Sequence, residues 1–148
     1  VLVYDVNKDG TPDLIVGEAH NYGLYWLEQG KDGSGNRTWA KHEIETVRSQ
    51  FHDLQLHDID NDGEVELVTG KRYWAHNGHD PGDNEPLGTY YYDINGGDFV
   101  RHTIDYGPAN RASGVGIYFW VDDVDGNGWK DLLAPGKEGL YLFLNKGR

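Results

Sequence analysis

The sequence has no cysteine and no methionine in its 148 residues. Without cysteine there is no disulfide and no thiol nucleophile, and the count leaves the compartment open. No apolar run approaches the ~20 residues that cross a bilayer, so no membrane span is expected. Helical periodicity of useful length is missing as well. Positive charge is scarce: 13 Lys and Arg stand against 25 Asp and Glu, a formal net charge of −12. That balance repels a nucleic-acid backbone, so no nucleic-acid partner is expected. The chain has no Walker loop, dinucleotide fingerprint or Gly-x-Ser-x-Gly elbow. Nor does a signal peptide show at its start. It opens on VLVYD, as though already inside a strand, which leads us to expect a mature form or a fragment.

What is abundant points the other way from helix. There are 21 Gly, 10 Tyr and 5 Trp, and aromatic residues make up 13% of the chain. Many turns and many β-formers predict an all-β protein, and the length suits one domain with a real core. The acids are not spread evenly. DVNKDGTPD (5–13), DIDNDGEVE (58–66) and DVDGNGWKD (123–131) share one spacing, 53 and 65 residues apart. Ten of the 25 acids occupy repeated positions in these turns.

Each turn is preceded by a strand-like segment: VLVYD (1–5), LQLHD (54–58) and YFWVDD (118–123). Each is followed by DLIVG (13–17), ELVTG (66–70) or DLLAP (131–135), and then by GLYWLEQG (23–30), GTYYYDING (88–96) or GLYLFLNKG (139–147). A further segment is seen twice, TWAKHEI (38–44) and DFVRHTI (98–104), sharing the order basic–His–x–Ile. His42 and His102 therefore read as repeated strand residues with structural roles. Four antiparallel strands per unit describe a β-propeller blade. We expect one propeller region over residues 1–148, with approximate blades 1–48, 49–112 and 113–148, the last incomplete. A closed ring needs roughly 4–8 blades, so about three make only a partial propeller. Either this is a fragment of a longer protein, the reading we favour, or identical copies assemble.

In the turns, oxygen-bearing side chains recur at positions 1, 3, 5 and 9, and Gly10, Gly63 and Gly128 hold position 6. The candidate ligands are Asp5, Asn7, Asp9 and Asp13; Asp58, Asp60, Asp62 and Glu66; and Asp123, Asp125, Asn127 and Asp131. Hard oxygens at this density suit Ca²⁺, up to three ions in all. An EF-hand is excluded, because position 12 is Val16, Thr69 or Ala134 rather than Glu and the flanks are strands. Ordinary Asp/Asn/Gly hairpin turns are the competing reading, and the threefold repetition argues against it.

These turns with their following strands resemble FG-GAP/VCBS repeats, the Ca²⁺-binding propeller blades of integrin α-subunit heads and many bacterial secreted proteins. The resemblance implies an extracellular or periplasmic setting with Ca²⁺ as cofactor. It does not imply one activity, since such propellers serve in adhesion, as scaffolds and in carbohydrate-active enzymes.

Propeller topology puts a second set of loops on the opposite face. EAHNY (18–22), SQFHD (49–53), KRYWAHNGHDPGDNEP (71–86) and GPANRASG (107–114) supply it. His52, His76, His79 and Arg72 are the catalytic candidates there, and His20, Asp53, Tyr73, Trp74 and Arg111 the ligand-binding ones, with Asp80 among them. His with a carboxylate can hold a transition metal or act as a base, Arg can neutralise a substrate carboxylate, and Trp or Tyr can stack on a sugar. Against this, His, Asn, Gly and Asp are common in long loops for turn reasons alone. The leading expectation is a secreted Ca²⁺-stabilised module that binds a carbohydrate or extracellular protein or assembles with further blades or copies. The alternative is a polysaccharide lyase or sugar dehydratase working on the His-rich face, and whether the chain is an enzyme stays open.

Overall fold

The computed structural model describes residues 1–147; Arg148, last in the expected third blade, lies outside them. Three antiparallel sheets follow one another along the chain. The first is β1 (Leu2–Tyr4), β2 (Asp13–Gly17), β3 (Tyr22–Lys31) and β4 (Arg37–Ser49). The second is β5 (Phe51–His57), β6 (Glu66–Lys71), β7 (Leu87–Asn95) and β8 (Asp98–Gly107). The third has three strands, β9 (Trp120–Asp122), β10 (Asp131–Gly136) and β11 (Gly139–Phe143). Neighbours in sequence are neighbours in each sheet, the meander of a propeller blade. No α-helix occurs among the described residues, so none is long and apolar enough to cross a membrane.

Alternation along the strands gives each sheet two faces, and the core lies between sheets. Val6, Ile15, Leu24 and Trp26 of the first sheet pack on Phe51, Leu54, Leu67, Tyr90 and Tyr92 of the second. Ile59 and Val68 of the second pack on Val115, Phe119, Leu132 and Ala134 of the third. The contact is close enough to dictate sequence: a Cβ on Gly17 would lie 2.6 Å from the Phe51 carbonyl oxygen. No core cluster joins the first and third sheets among the described residues, and the array is a partial propeller that does not close.

The pairing register explains the repeated basic–His–x–Ile. His42 sits opposite Trp26, and His102 opposite Tyr91. Each imidazole stacks on its aromatic partner, with centroids 4.4 and 4.6 Å apart. Each then donates from Nε2 to a carboxylate of the neighbouring strand, Glu28 at 2.8 Å and Asp93 at 2.9 Å. The preceding basic residue lies over a second ring, Lys41 over Tyr25 and Arg101 over Tyr90. Ile44 and Ile104 turn inward to the two cores. The motif is a cross-strand packing unit, as the structural reading of these histidines expects.

A polar tie missing from the sequence reading joins the first two sheets. Glu45 of β4 is buried and accepts from Arg48 Nη1 and from Arg101 Nη1 of β8, each at 2.7 Å. Arg48 Nε donates in turn to the Tyr90 hydroxyl at 3.1 Å. Removing Glu45 strands two guanidinium groups at a sheet–sheet seam. Glu45→Ala should therefore lower stability by about 1–3 kcal/mol. Glu43→Ala, two residues away in an exposed pair with Lys41, should cost well under about 1 kcal/mol. Thermal melts of the two variants compare them directly, and equal losses would refute a seam role for Glu45.

Candidate functional site

The three acidic turns join the first and second strands of their sheets and share one backbone network. The position-1 carboxylate accepts from the N–H groups of positions 5 and 6. Asp9 and Gly10 donate to Asp5 at 3.0 and 2.9 Å, Asp62 and Gly63 to Asp58 at 3.2 and 3.1 Å, and Asn127 and Gly128 to Asp123 at 3.0 and 2.8 Å. The position-9 acid is buried as Asp13, Glu66 or Asp131 and accepts from the N–H of position 2. Asp13 and Asp131 also accept from the third strand side, from Gln29 and Asn145, both N–H groups lying within 2.9 Å. Position 6 is glycine at φ 88, 93 and 86°. Position 4, which sequence reading passed over, is left-handed too, as Lys8, Asn61 and Gly126. Asn and Gly at two of those sites were the available signal.

The oxygens converge. Asp58, Asp60 and Asp62 place carboxylate oxygens within 4.8 Å of one another, and so do Asp123, Asp125 and Asp131. Two Ca²⁺–O bonds of about 2.4 Å end to end span that distance, so one ion fits each set. Burial pushes the Glu66 carboxyl up to about 7, and Asp60, Asp62 and Asp58 add to the shift. A cation is the group that would relieve that repulsion. In the first turn Asn7 replaces an acid and donates to Glu28 at 3.2 Å, and no such acidic trio forms there among the described residues. In the third, Lys146 Nζ lies 2.7 Å from Asp125 and holds its carboxyl below the usual range.

The second candidate site is built on the long 72–86 connection between β6 and β7. His20 Nδ1 and His76 Nδ1 both donate to Asp80 Oδ2, at 3.0 and 2.9 Å. The two rings are 4.5 Å apart, and His52 approaches His20 edge-on at 5.8 Å. His52 lies within β5 and not in the loop before it, at a register shift between Phe51 and Leu54. Such a bulge re-aims side chains. Burial, helped by the Arg72 charge, lowers the His52 pKa. Tyr73 and Trp74, which precede His76 in the loop, have rings 6.2 Å apart. Arg72 and Tyr73 line a shallow apolar groove with Ile117, Tyr118 and Trp120.

Three sequence candidates are not members of the His20, His76 and Asp80 group. Asp53 accepts from Gln55 Nε2 at 3.0 Å and from the Phe119 N–H at 3.1 Å, which ties the second sheet to the third. His79 and Arg111 are exposed outside the trio.

Residues 5–69 match the model of the family of FG-GAP-like repeats. That stretch is an FG-GAP-like repeat. It runs from the first acidic turn through the second and into β6. The third turn, beyond the matched residues, repeats the same hydrogen bonds. No curated protein matches the chain.

The repeat supplies the frame, and unrepeated residues hold the long loop on it. Lys71, buried at the end of β6, donates to Ser49 Oγ at 3.1 Å and to the Gly82 carbonyl. Gln50 Nε2 donates to the Pro81 carbonyl at 3.1 Å, and Tyr22 to Glu85 at 2.6 Å. No motif announces these ties; a lysine closing the ELVTGK strand was the only clue. Lys71→Ala leaves the Gly82 carbonyl without its donor and should cost about 1–3 kcal/mol. Limited proteolysis of that variant should open residues 72–86 first. Cleavage elsewhere ahead of this loop would contradict the tether.

Proposed function

We propose that the chain is part of a Ca²⁺-stabilised propeller module that works outside the cytoplasm and binds a carbohydrate or a protein through its loop face. The observation carrying this reading is the acidic turn with one hydrogen-bond network in three copies. Carboxylates gathered this closely repel one another, and the cation converts that repulsion into a clamp between first and second strands. Exposed loop sites of this kind suit the high free Ca²⁺ outside cells.

Further blades or identical copies are the partners that the open sheet faces suit. Trp120, Val124, Leu140 and Leu142 occupy the positions of Leu2, Val6, Leu24 and Trp26, judged by pairing register and turn position. In the first sheet those positions face the neighbouring sheet; in the third they are 61, 57, 69 and 47% exposed.

EDTA should lower the melting temperature and excess Ca²⁺ restore it. Asp60→Ala should remove one bound ion and leave the third turn's response intact. A melting curve indifferent to both reagents, in protein shown by elemental analysis to be metal-free, would sink the Ca²⁺ reading.

A second reading, favoured by the His20, His76 and Asp80 cluster beside His52 and Arg72, is elimination chemistry on acidic sugars. A neutral His52 would take the proton α to a uronic-acid carboxylate that Arg72 neutralises. Uronic-acid polysaccharides should then yield an absorbing unsaturated product, lost in His52→Ala. Silence across a broad panel of such polymers removes this reading and leaves the binding module.

A further inference from the structure

We infer that His20, His76 and Asp80 form a binding site for a divalent transition metal of the Zn²⁺ class, with a coordination position open to an oxygen-donor ligand. The inference rests on the same loop face assigned above to ligand binding and is independent of the acidic turns. One ligand atom from each of His20, His76 and Asp80 lies within 4.8 Å of the other two, and each Nδ1 is 3.0 Å or less from Asp80 Oδ2. Ligand atoms around a tetrahedral Zn²⁺ with bonds of about 2.0–2.1 Å sit about 3.3 Å apart. A small opening of the trio therefore admits the ion, which takes the place of the two imidazole N–H bonds. With the protons on Nε2, both nitrogens offer lone pairs and the binding step is balanced.

The donor set selects the metal. Two imidazoles and one carboxylate suit Zn²⁺ and its neighbours, whereas Ca²⁺ takes oxygens. The two metals thus divide between opposite ends of the strands. The ligands are also positioned in advance. Asp80 lies on the loop that Lys71, Gln50 and Tyr22 fasten to the strand ends. His76 has φ 46° within a run where Trp74 and Asn77 are also left-handed, at 50 and 60°. Three non-glycine residues in that region within four positions is an uncommon backbone, and it turns His76 toward Asp80. His20 comes from the short β2–β3 connection of the preceding sheet, so the metal would bridge two blades.

Three protein ligands leave the fourth position of a tetrahedral ion for solvent or ligand. The imidazoles are half-exposed. Arg72 acts electrostatically on His52, whose ring meets His20 at 5.8 Å, and its positive charge favours an anionic oxygen there. A sugar carboxylate or hydroxyl is of that class.

The test is a Zn²⁺ titration of the intact chain with Ca²⁺ in excess, so that the acidic turns are saturated. A chromophoric zinc indicator reads the competition, and Co²⁺ substitution reads the ligand field. One equivalent of Zn²⁺ is expected, with affinity falling at least tenfold in His20→Ala and in His76→Ala. His79→Ala and His42→Ala should bind as the parent does. If either ligand variant fails to fold, Asp80→Asn and the parent's Co²⁺ spectrum decide: an intense visible band from four-coordinate nitrogen and oxygen ligation supports the site. No stoichiometric Zn²⁺ uptake, or uptake unchanged in both histidine variants, overturns it. A Ca²⁺ response that disappears while this pattern persists overturns the other proposal and leaves this one standing.

Discussion

The buried acid at the ninth position of each turn is the tie on which the sheets depend. Asp13, Glu66 and Asp131 are almost wholly inaccessible, yet each begins the second strand of its sheet. Burying a carboxylate is costly unless donors meet it. The donors here are backbone N–H groups that the turn itself presents. Asp13 is satisfied by Val6 and Gln29, Asp131 by Val124 and Asn145. One side chain thereby fixes the turn, the strand it opens and the approach of the third strand. Among the described residues the longer Glu66 has only Ile59 as a backbone donor, and burial, with the nearby Asp60, Asp62 and Asp58 charges, raises its pKa.

From that tie the spacing between sheets follows. Position 2 of the turn, whose N–H is bound, carries the apolar side chain that enters the next interface: Val6 into the first core, Ile59 into the second. Val124 occupies the same place in the third turn and is exposed. Turn and core are thus two consequences of one local geometry. A cation held in the turn, as proposed, would act on the sheet–sheet contact as well as on the hairpin, because the position-2 N–H is bound to the position-9 acid.

Almost all of the fold was legible in the sequence, because it is repetitive. Period-2 patterning and the acidic spacing place all eleven strands, with the main departures at β4 and β5. The first runs on to Ser49, and the second begins at Phe51 so that His52 and Asp53 are strand residues. Gln50, left-handed at φ 65°, is the single residue separating them. Asn, Gly or Asp would have signalled such a corner, and Gln does not. The Glu45 tie was illegible for a different reason. Its partners Arg48 and Arg101 lie 3 and 56 residues away, and only pairing of two sheets brings them together.

The candidate sites divide along the same line. The acidic turns were legible as a repeated local pattern, and their shared hydrogen-bond network follows it. On the opposite face topology named a wider set of residues than the structure brings together. It grouped His79, Arg111 and Asp53 with His20, His76 and Asp80, and only the last three converge. What selects them is the path of the 72–86 loop, fixed by a buried lysine and a buried glutamine on carbonyls of the loop. Such ties hold side chains to the tolerance that ligand chemistry demands. That these ties fall on the 72–86 connection, far longer than its β2–β3 and β10–β11 counterparts, is why the proposed ligand site is placed on this loop.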